Sequence, residues 1–395
     1  MLSEKASPST IMKVSSNALG LTPEQRRMYA TEKMMNFRRI SKIMATRSPY
    51  ILSSKDLASP ELHVELSELG QFAEIAYSAV PVEVIFSMLA KLVQPSFPLE
   101  GYSAVANSKL LSAFRGKVAN LPGYVAYRPE TKQLILAFSG TSSLMHALHD
   151  LRTLTHRHKS GRGAVHSGFW GLYKGIKTSA IEAVRKGLES EDVDEIVVTG
   201  HSMGGAVSCL LMLDILRDDN VFGRPTVPLK LVTFGPPRCG DSKMGEYWLE
   251  LTALRHSKHG ENSFKEYLVK GYNDGVPSLP PYSIGYRHFT PNPLYFLWGH
   301  LYHIPPSESE HTLFDLQQED AAENYLLDHP RGGHNYYSGR DLEKFVRRMR
   351  WLDSAMSGDG DWENLKVVGP SRAHHSSQLL ILQTSDGRQL GAGTP

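Results

Sequence analysis

The hydrophobic positions along this chain switch between two spacings. "QLILAF" (133–138), "EIVVTG" (195–200), "LKLVTF" (229–234) and "EYLVKG" (266–271) are short runs, apolar on successive residues and rich in β-branched side chains. Strands covered on both faces of a sheet have that character. Between them lie longer segments whose apolar residues return every three or four positions, "HSGFWGLYKGIKTSAIEAVRKGL" (166–188) and "GGAVSCLLMLDIL" (204–216), which predict helices. "GYVAYR" precedes "QLILAF" across a Pro-Glu-Thr-Lys turn, and "SELGQFAEIAYSAV" (67–80) reads as a further helix. Strands that alternate with helices predict an α/β architecture, with a mostly parallel central sheet flanked by helices.

The flanks have a different texture. Residues 1–60 are rich in Ser, Met and basic residues, and "TPEQRRMYATEKMMNFRRISKIMATR" (22–47) predicts a helix with Thr22 as N-cap and Pro23 at its first position. Its basic residues would suit an anionic membrane surface; a helix docked on the domain is the plainer expectation. After Trp351 the chain turns to "DSAMSGDGDWEN", a tail with a short strand expected at "QLLILQ". The expected division is therefore an N-terminal basic, helical extension (1–60), an α/β domain (61–350) and a largely irregular tail (351–395).

Composition adds exclusions. The chain has 395 residues, is 41% hydrophobic and 21% charged, and carries a net charge of +2. That charge is too small to argue for nucleic acid as a partner. The two cysteines, Cys209 and Cys239, do not call for an oxidising compartment. The first twenty residues contain no continuous apolar stretch of the kind a secretory signal uses, and the longest apolar run, "VPVEVIFSMLAKLV", is short and holds Glu83 and Lys91. These features predict a cytoplasmic protein. They do not specify an oligomeric state.

The candidate chemistry sits where a strand meets a helix. Gly200-His201-Ser202-Met203-Gly204 fits G-x-S-x-G, in which a very tight turn lifts a serine above the sheet edge and glycines avoid collision between strand and helix. The following helix N-terminus aims backbone N–H groups at the place where an oxyanion would develop. A nucleophilic serine needs a base, and the base needs an orienting carboxylate. Asp274, just past the strand in "YLVKGYNDGVPSLPP", is the candidate acid; Asp241 in "PPRCGD" reads instead as a helix cap. Among 17 histidines, His329 and His334 in "LLDHPRGGHNYYSG" lie in a Gly-rich loop able to reach back over the sheet edge, and spacing alone does not separate them.

These residues together resemble the class 3 (fungal-type) triacylglycerol lipases of the α/β-hydrolase fold, over roughly residues 65–345. "GHSMGGA" is similar to that family's elbow, "LVTFGPPRCGD" to its next strand, and "NDGVPSLPP" to the stretch that carries its acid, which is Asp274 here. "HNYYSG" is similar to the family's H-x-x-Y-x-G, which favours His334, although Gly333 stands where the family often has Asp. The resemblance makes His288 in "GYRHFTP" non-catalytic and His166 in "VHSGFWGLY" a satisfied interior histidine. It implies an oxyanion hole from Thr141 in "FSGTSS" and the Met203 N–H, a Ser139 where the family commonly has Arg beside the lid hinge, and a helical lid within "SSLMHALHDLRTLTHRHKSGRG".

The resulting expectation is a serine esterase acting on tri- or diacylglycerol through an acyl-enzyme. Ser202, Asp274 and His334 would do the chemistry without cofactor or metal, on a lipid substrate presented at a membrane or lipid-droplet surface. The alternatives are a carboxylesterase for small or feruloyl-type esters, and an inactive lipase-like lipid-binding protein.

Overall fold

The computed structural model describes residues 20–31, 36–140, 154–317 and 327–357, with two-residue strands at Ile11–Met12, Lys366–Val367 and Leu382–Gln383. The apolar runs become the middle of an eight-stranded sheet. We number its strands β1 (Lys109–Arg115), β2 (Pro122–Arg128), β3 (Gln133–Phe138), β4 (Glu195–His201), β5 (Leu229–Phe234), β6 (Phe264–Gly271), β7 (Pro293–Leu297) and β8 (His300–His303). They lie side by side in chain order. β3 to β7 are parallel, while β1, β2 and β8 run antiparallel to their neighbours. The Pro-Glu-Thr-Lys turn joins β2 to β3 as the sequence predicts, and each following parallel crossover carries a helix up to β6.

Alternate residues of the parallel strands feed two cores. Leu134, Leu136, Phe138, Ile196 and Val198 pack under the helices Ser167–Ser190, Met203–Arg217 and Ser242–His259. Ile135, Ala137, Val197 and Val232 pack on the opposite face, against Pro60–Ile75 and Leu342–Ser357. The helix Met203–Arg217 is buried from Met203 to Leu216, so it is held by burial on all sides, at about 2 kcal/mol for each large apolar side chain. This is the α/β-hydrolase arrangement, with a strand–helix corner at Ser202.

The N-terminal segment differs from the single helix expected over 22–47. Pro23–Thr31 and Arg38–Met44 are separate helices, and the chain turns at Phe37, which has φ +54°. Thr22 does cap the first: its Oγ1 accepts from Gln25 N–H at 3.1 Å while Gln25 Oε1 accepts from Thr22 N–H at 3.0 Å. Arg47–Leu52 forms a strand that pairs parallel with Leu313–Gln317, and Leu52 packs with Tyr272, Tyr295 and Phe314. Thr141 and most of the segment expected to form the lid, 141–153, lie outside the described residues. No helix among the described residues is long and apolar enough to cross a membrane.

Candidate active site

Ser202 sits at the corner between β4 and the helix Met203–Arg217 with φ 60° and ψ −127°. A non-glycine residue in that region is strained by about 1–3 kcal/mol, and the surrounding packing has to hold it there. The glycines beside it are steric requirements. A Cβ on Gly200 would collide with the backbone of Gly204, and one on Gly204 with the Phe138 carbonyl at the end of β3. The Ser202 N–H is tied to the Phe234 carbonyl of β5 at 2.8 Å. Met203 is the first helical residue, its side chain buried in the core and its N–H on the helix terminus.

Asp274 follows β6 and is completely buried. Its Oδ1 accepts from Val276 N–H at 2.8 Å, and its Oδ2 accepts from Tyr337 Oη and lies 2.9 Å from His334 Nδ1. Gly235 makes room for this group, because a Cβ there would lie 2.6 Å from both Asp274 Oδ2 and Tyr337 Oη. Burial, and then the Asp274 charge, push the Tyr337 phenol well above its usual range, so its hydroxyl stays a donor. With Asp274 accepting at Nδ1–H, His334 Nε2 is the ring nitrogen left to take a proton. That nitrogen and Ser202 Oγ are both buried without a hydrogen-bond partner. Orphaned buried polar atoms are rare, and these two belong to the residues expected to exchange a proton.

His201 connects the elbow to the histidine loop. Burial holds its imidazole well below the usual range, and therefore neutral. Its Nε2 lies 2.7 Å from the His334 carbonyl, which can only accept, so Nδ1 accepts from Tyr77 Oη at 2.8 Å. Tyr77 presses on Gly140, where a Cβ would coincide with the phenol oxygen, and its hydroxyl interacts with the Ser202 side chain without completing a hydrogen bond. Neither Tyr77 nor the Tyr337–Asp274 contact follows from local sequence. Tyr77 lies in the turn just past the helix Pro60–Ile75, more than a hundred residues before the elbow, and nothing in "AEIAYS" marks it.

The rival residues have other partners. Asp241 caps the helix Ser242–His259 by accepting from Met244 N–H at 2.9 Å. His329 stacks on Tyr336 with ring centroids 4.1 Å apart. His288 Nε2 meets the Pro277 carbonyl at 3.0 Å. His166 is interior and N-caps the helix Ser167–Ser190 through Nδ1, but its Nε2 has no partner, so it is only half satisfied. His156 stacks on Trp170 and His158 meets the same ring edge-on. No cluster of three or more potential metal ligands occurs among the described residues. Thr141 lies outside them. Ser139, in place of the family's arginine, is buried and donates to the Gly140 carbonyl at 2.8 Å.

Comparison with known proteins agrees with this fold. The sequence model of the family Lipase (class 3) matches residues 135–283, a stretch that holds Ser202 and Asp274 and ends before His334. The chain is 29% identical over 185 residues to a lipase of Rhizopus niveus, covering 47% of this chain and 44% of that one. It is 28% identical over 162 residues to the secreted mono- and diacylglycerol lipase 1 of Fusarium solani, covering 41% of each. It thus spans about half the length of the curated relatives it matches. Among solved structures, a triacylglycerol lipase described as having a serine protease triad superposes with a TM-score of 0.54 at 19% identity, over 73% of this chain and 98% of that one. Lipase II from Rhizopus niveus superposes at 0.53 and 22%, over 73% and 99%. The strand–elbow–helix unit and the parallel sheet give this chain an α/β-hydrolase fold, and the part of it from 135 to 283, which holds the elbow and Asp274, is similar to the class 3 lipases.

Proposed function

We propose that the chain is a serine hydrolase of glycerolipid esters working through an acyl-enzyme. The observation that carries this reading is the pairing of Asp274 with His334 at 2.9 Å, with the His334 ring packed 4.3 Å from that of His201, the residue before the strained Ser202, and with Ser202 Oγ and His334 Nε2 both buried and unpartnered. Ser202 Oγ attacks the ester carbonyl carbon and its proton passes to His334 Nε2. Asp274 holds the opposite ring N–H and stabilises the imidazolium. Negative charge developing on the carbonyl oxygen faces the Met203 N–H and, in the family's pattern, Thr141; one such donor is worth about 3 kcal/mol of barrier. Collapse expels the alcohol, which takes the proton from His334. Water then enters, attacks the acyl carbon and gives a proton to the same nitrogen, and His334 returns that proton to Ser202 Oγ as the bond to the acid breaks. None of these steps requires a metal or cofactor.

The relatives named as triacylglycerol or mono- and diacylglycerol lipases support acylglycerols as the substrate class. Peripheral contact with a lipid surface belongs to the same proposal. The cytoplasmic expectation draws no support from similarity, since one relative is secreted by name; fractionation of cells expressing the full chain decides it. The decisive chemical test is labelling by a fluorophosphonate, which should be stoichiometric and abolished in Ser202→Ala. His334→Ala should abolish turnover of emulsified acylglycerols and His329→Ala should spare most of it. Folded protein that takes no label would rule out the enzyme. Label combined with turnover of soluble short or feruloyl esters alone would replace the lipid substrate with a small one.

A further inference from the structure

The backbone of His334 is held from two sides. Its carbonyl accepts from His201 Nε2–H at 2.7 Å, and its N–H donates to the carbonyl of Asn36 at 3.1 Å. Asn36 belongs to the N-terminal segment, and its side chain brackets the histidine: Nδ2 donates to the Gly332 carbonyl at 3.3 Å and Oδ1 accepts from Asn335 N–H at 3.4 Å. The Asn36 amide fills the space beside Gly333, whose φ is +122°; a Cβ at 333 would fall on it. The position where the family often carries an aspartate side chain is thus occupied here by an asparagine from the other end of the chain.

The next residue extends the contact. The Phe37 ring meets the His334 imidazole edge to face, with centroids 5.2 Å apart and planes at 83°. Phe37 is buried with φ +54°, a conformation bulky residues rarely adopt and that persists only when surroundings impose it. Its carbonyl and the Ser41 N–H that binds it lie directly on Gly275, where a Cβ would come within 2.6 and 2.5 Å of them. One short segment therefore lies on the loop of the acid and the loop of the base together. The histidine loop needs such a brace. Gly332 and Gly333 both have positive φ, and glycines lose the most conformational freedom on ordering. A base displaced by about 1 Å can lose on the order of a hundredfold in rate.

We propose that Asn36 is a positioning residue for the base: it fixes the backbone from Gly332 to Asn335, with Phe37 packed on the imidazole, so that the N-terminal segment is part of the catalytic unit. This rests on the serine-hydrolase reading. The test uses the full chain with Asn36→Ala, reading ester hydrolysis and the downfield Nδ1–H proton resonance of His334 that its bond to Asp274 produces. Asn36→Ala is expected to lower kcat ten- to a hundredfold per folded molecule, leave KM within about twofold, and broaden or abolish the resonance. A folded variant with kcat within twofold of wild type and an unchanged resonance overturns the proposal. If the alanine variant does not fold, the isosteric Asn36→Asp, which keeps the acceptor for Asn335 and loses the donor to Gly332, is judged by the same two readouts. Wild-type protein that shows the resonance but hydrolyses no ester would sink the esterase reading. Loss of the resonance in the Asn36 variant would then still support the brace, and its retention would overturn it.

Discussion

Replacing Tyr337 by phenylalanine removes one atom from the centre of the site and leaves the rest of the packing in place. The ring remains against Phe234 and His201, so what is lost is the hydroxyl that donates to Asp274 Oδ2. That oxygen also faces His334 Nδ1, and the carboxylate has no exposure to water that could replace the donor. A hydrogen bond to a charged buried partner contributes about 2 kcal/mol, which for a domain of this size lowers Tm by on the order of 5 °C. The effect on chemistry comes through position. Without this donor the carboxylate keeps the Val276 N–H on Oδ1 but loses the restraint on the oxygen that faces His334. The imidazole is then held less firmly against the serine, and kcat should fall on the order of tenfold. Thermal unfolding and steady-state kinetics of Tyr337→Phe measure both. An unchanged Tm with kcat within twofold of wild type would refute the placement of Tyr337 as a donor to the acid.

Two further outcomes follow from the same packing. Gly204→Ala puts a methyl group into the Phe138 carbonyl at the end of β3, and because backbone cannot move aside cheaply, it should destabilise by about 3 kcal/mol or more and displace the Met203 N–H, reducing fluorophosphonate labelling; labelling at the wild-type rate would contradict the elbow geometry. Glu266 on β6 is buried, accepts from Trp248 Nε1–H at 2.8 Å, and has its carboxyl pushed up to about 8 by burial. A folded pKa above the unfolded one means its contribution is fully present below about pH 4.5 and lost as the pH rises through about 8. Glu266→Gln keeps the acceptor and removes the ionisation, so unfolding free energies from urea titrations should match wild type near pH 4 and exceed it at pH 8.5, by up to about 4 kcal/mol. Equal free energies at both pH values would mean that the carboxyl is ionised in the folded protein without penalty.

Much of this protein is local in origin. The apolar runs of β3 to β6 and the helical periods between them determine the sheet, because residues covered on both faces cannot be satisfied in any other place. G-x-S-x-G between a strand and a helix fixes Ser202, since the steric demand for glycine at 200 and 204 acts over only a few residues. Asp274 past the end of β6 was legible for the same reason. The choice between His329 and His334 was not legible from spacing: both ride one Gly-rich loop, and what separates them is which ring meets Asp274 and which stacks on Tyr336. The predicted single helix over 22–47 failed at Phe37 because its helical periodicity is weaker than the contacts Asn36 and Phe37 make with the histidine loop. Tyr77, Tyr337 and Asn36 take their roles from partners 60 to 300 residues away. Side-chain periodicity records which face of an element is buried. It carries no record of which distant residue will cover that face, and this the tertiary structure alone decided.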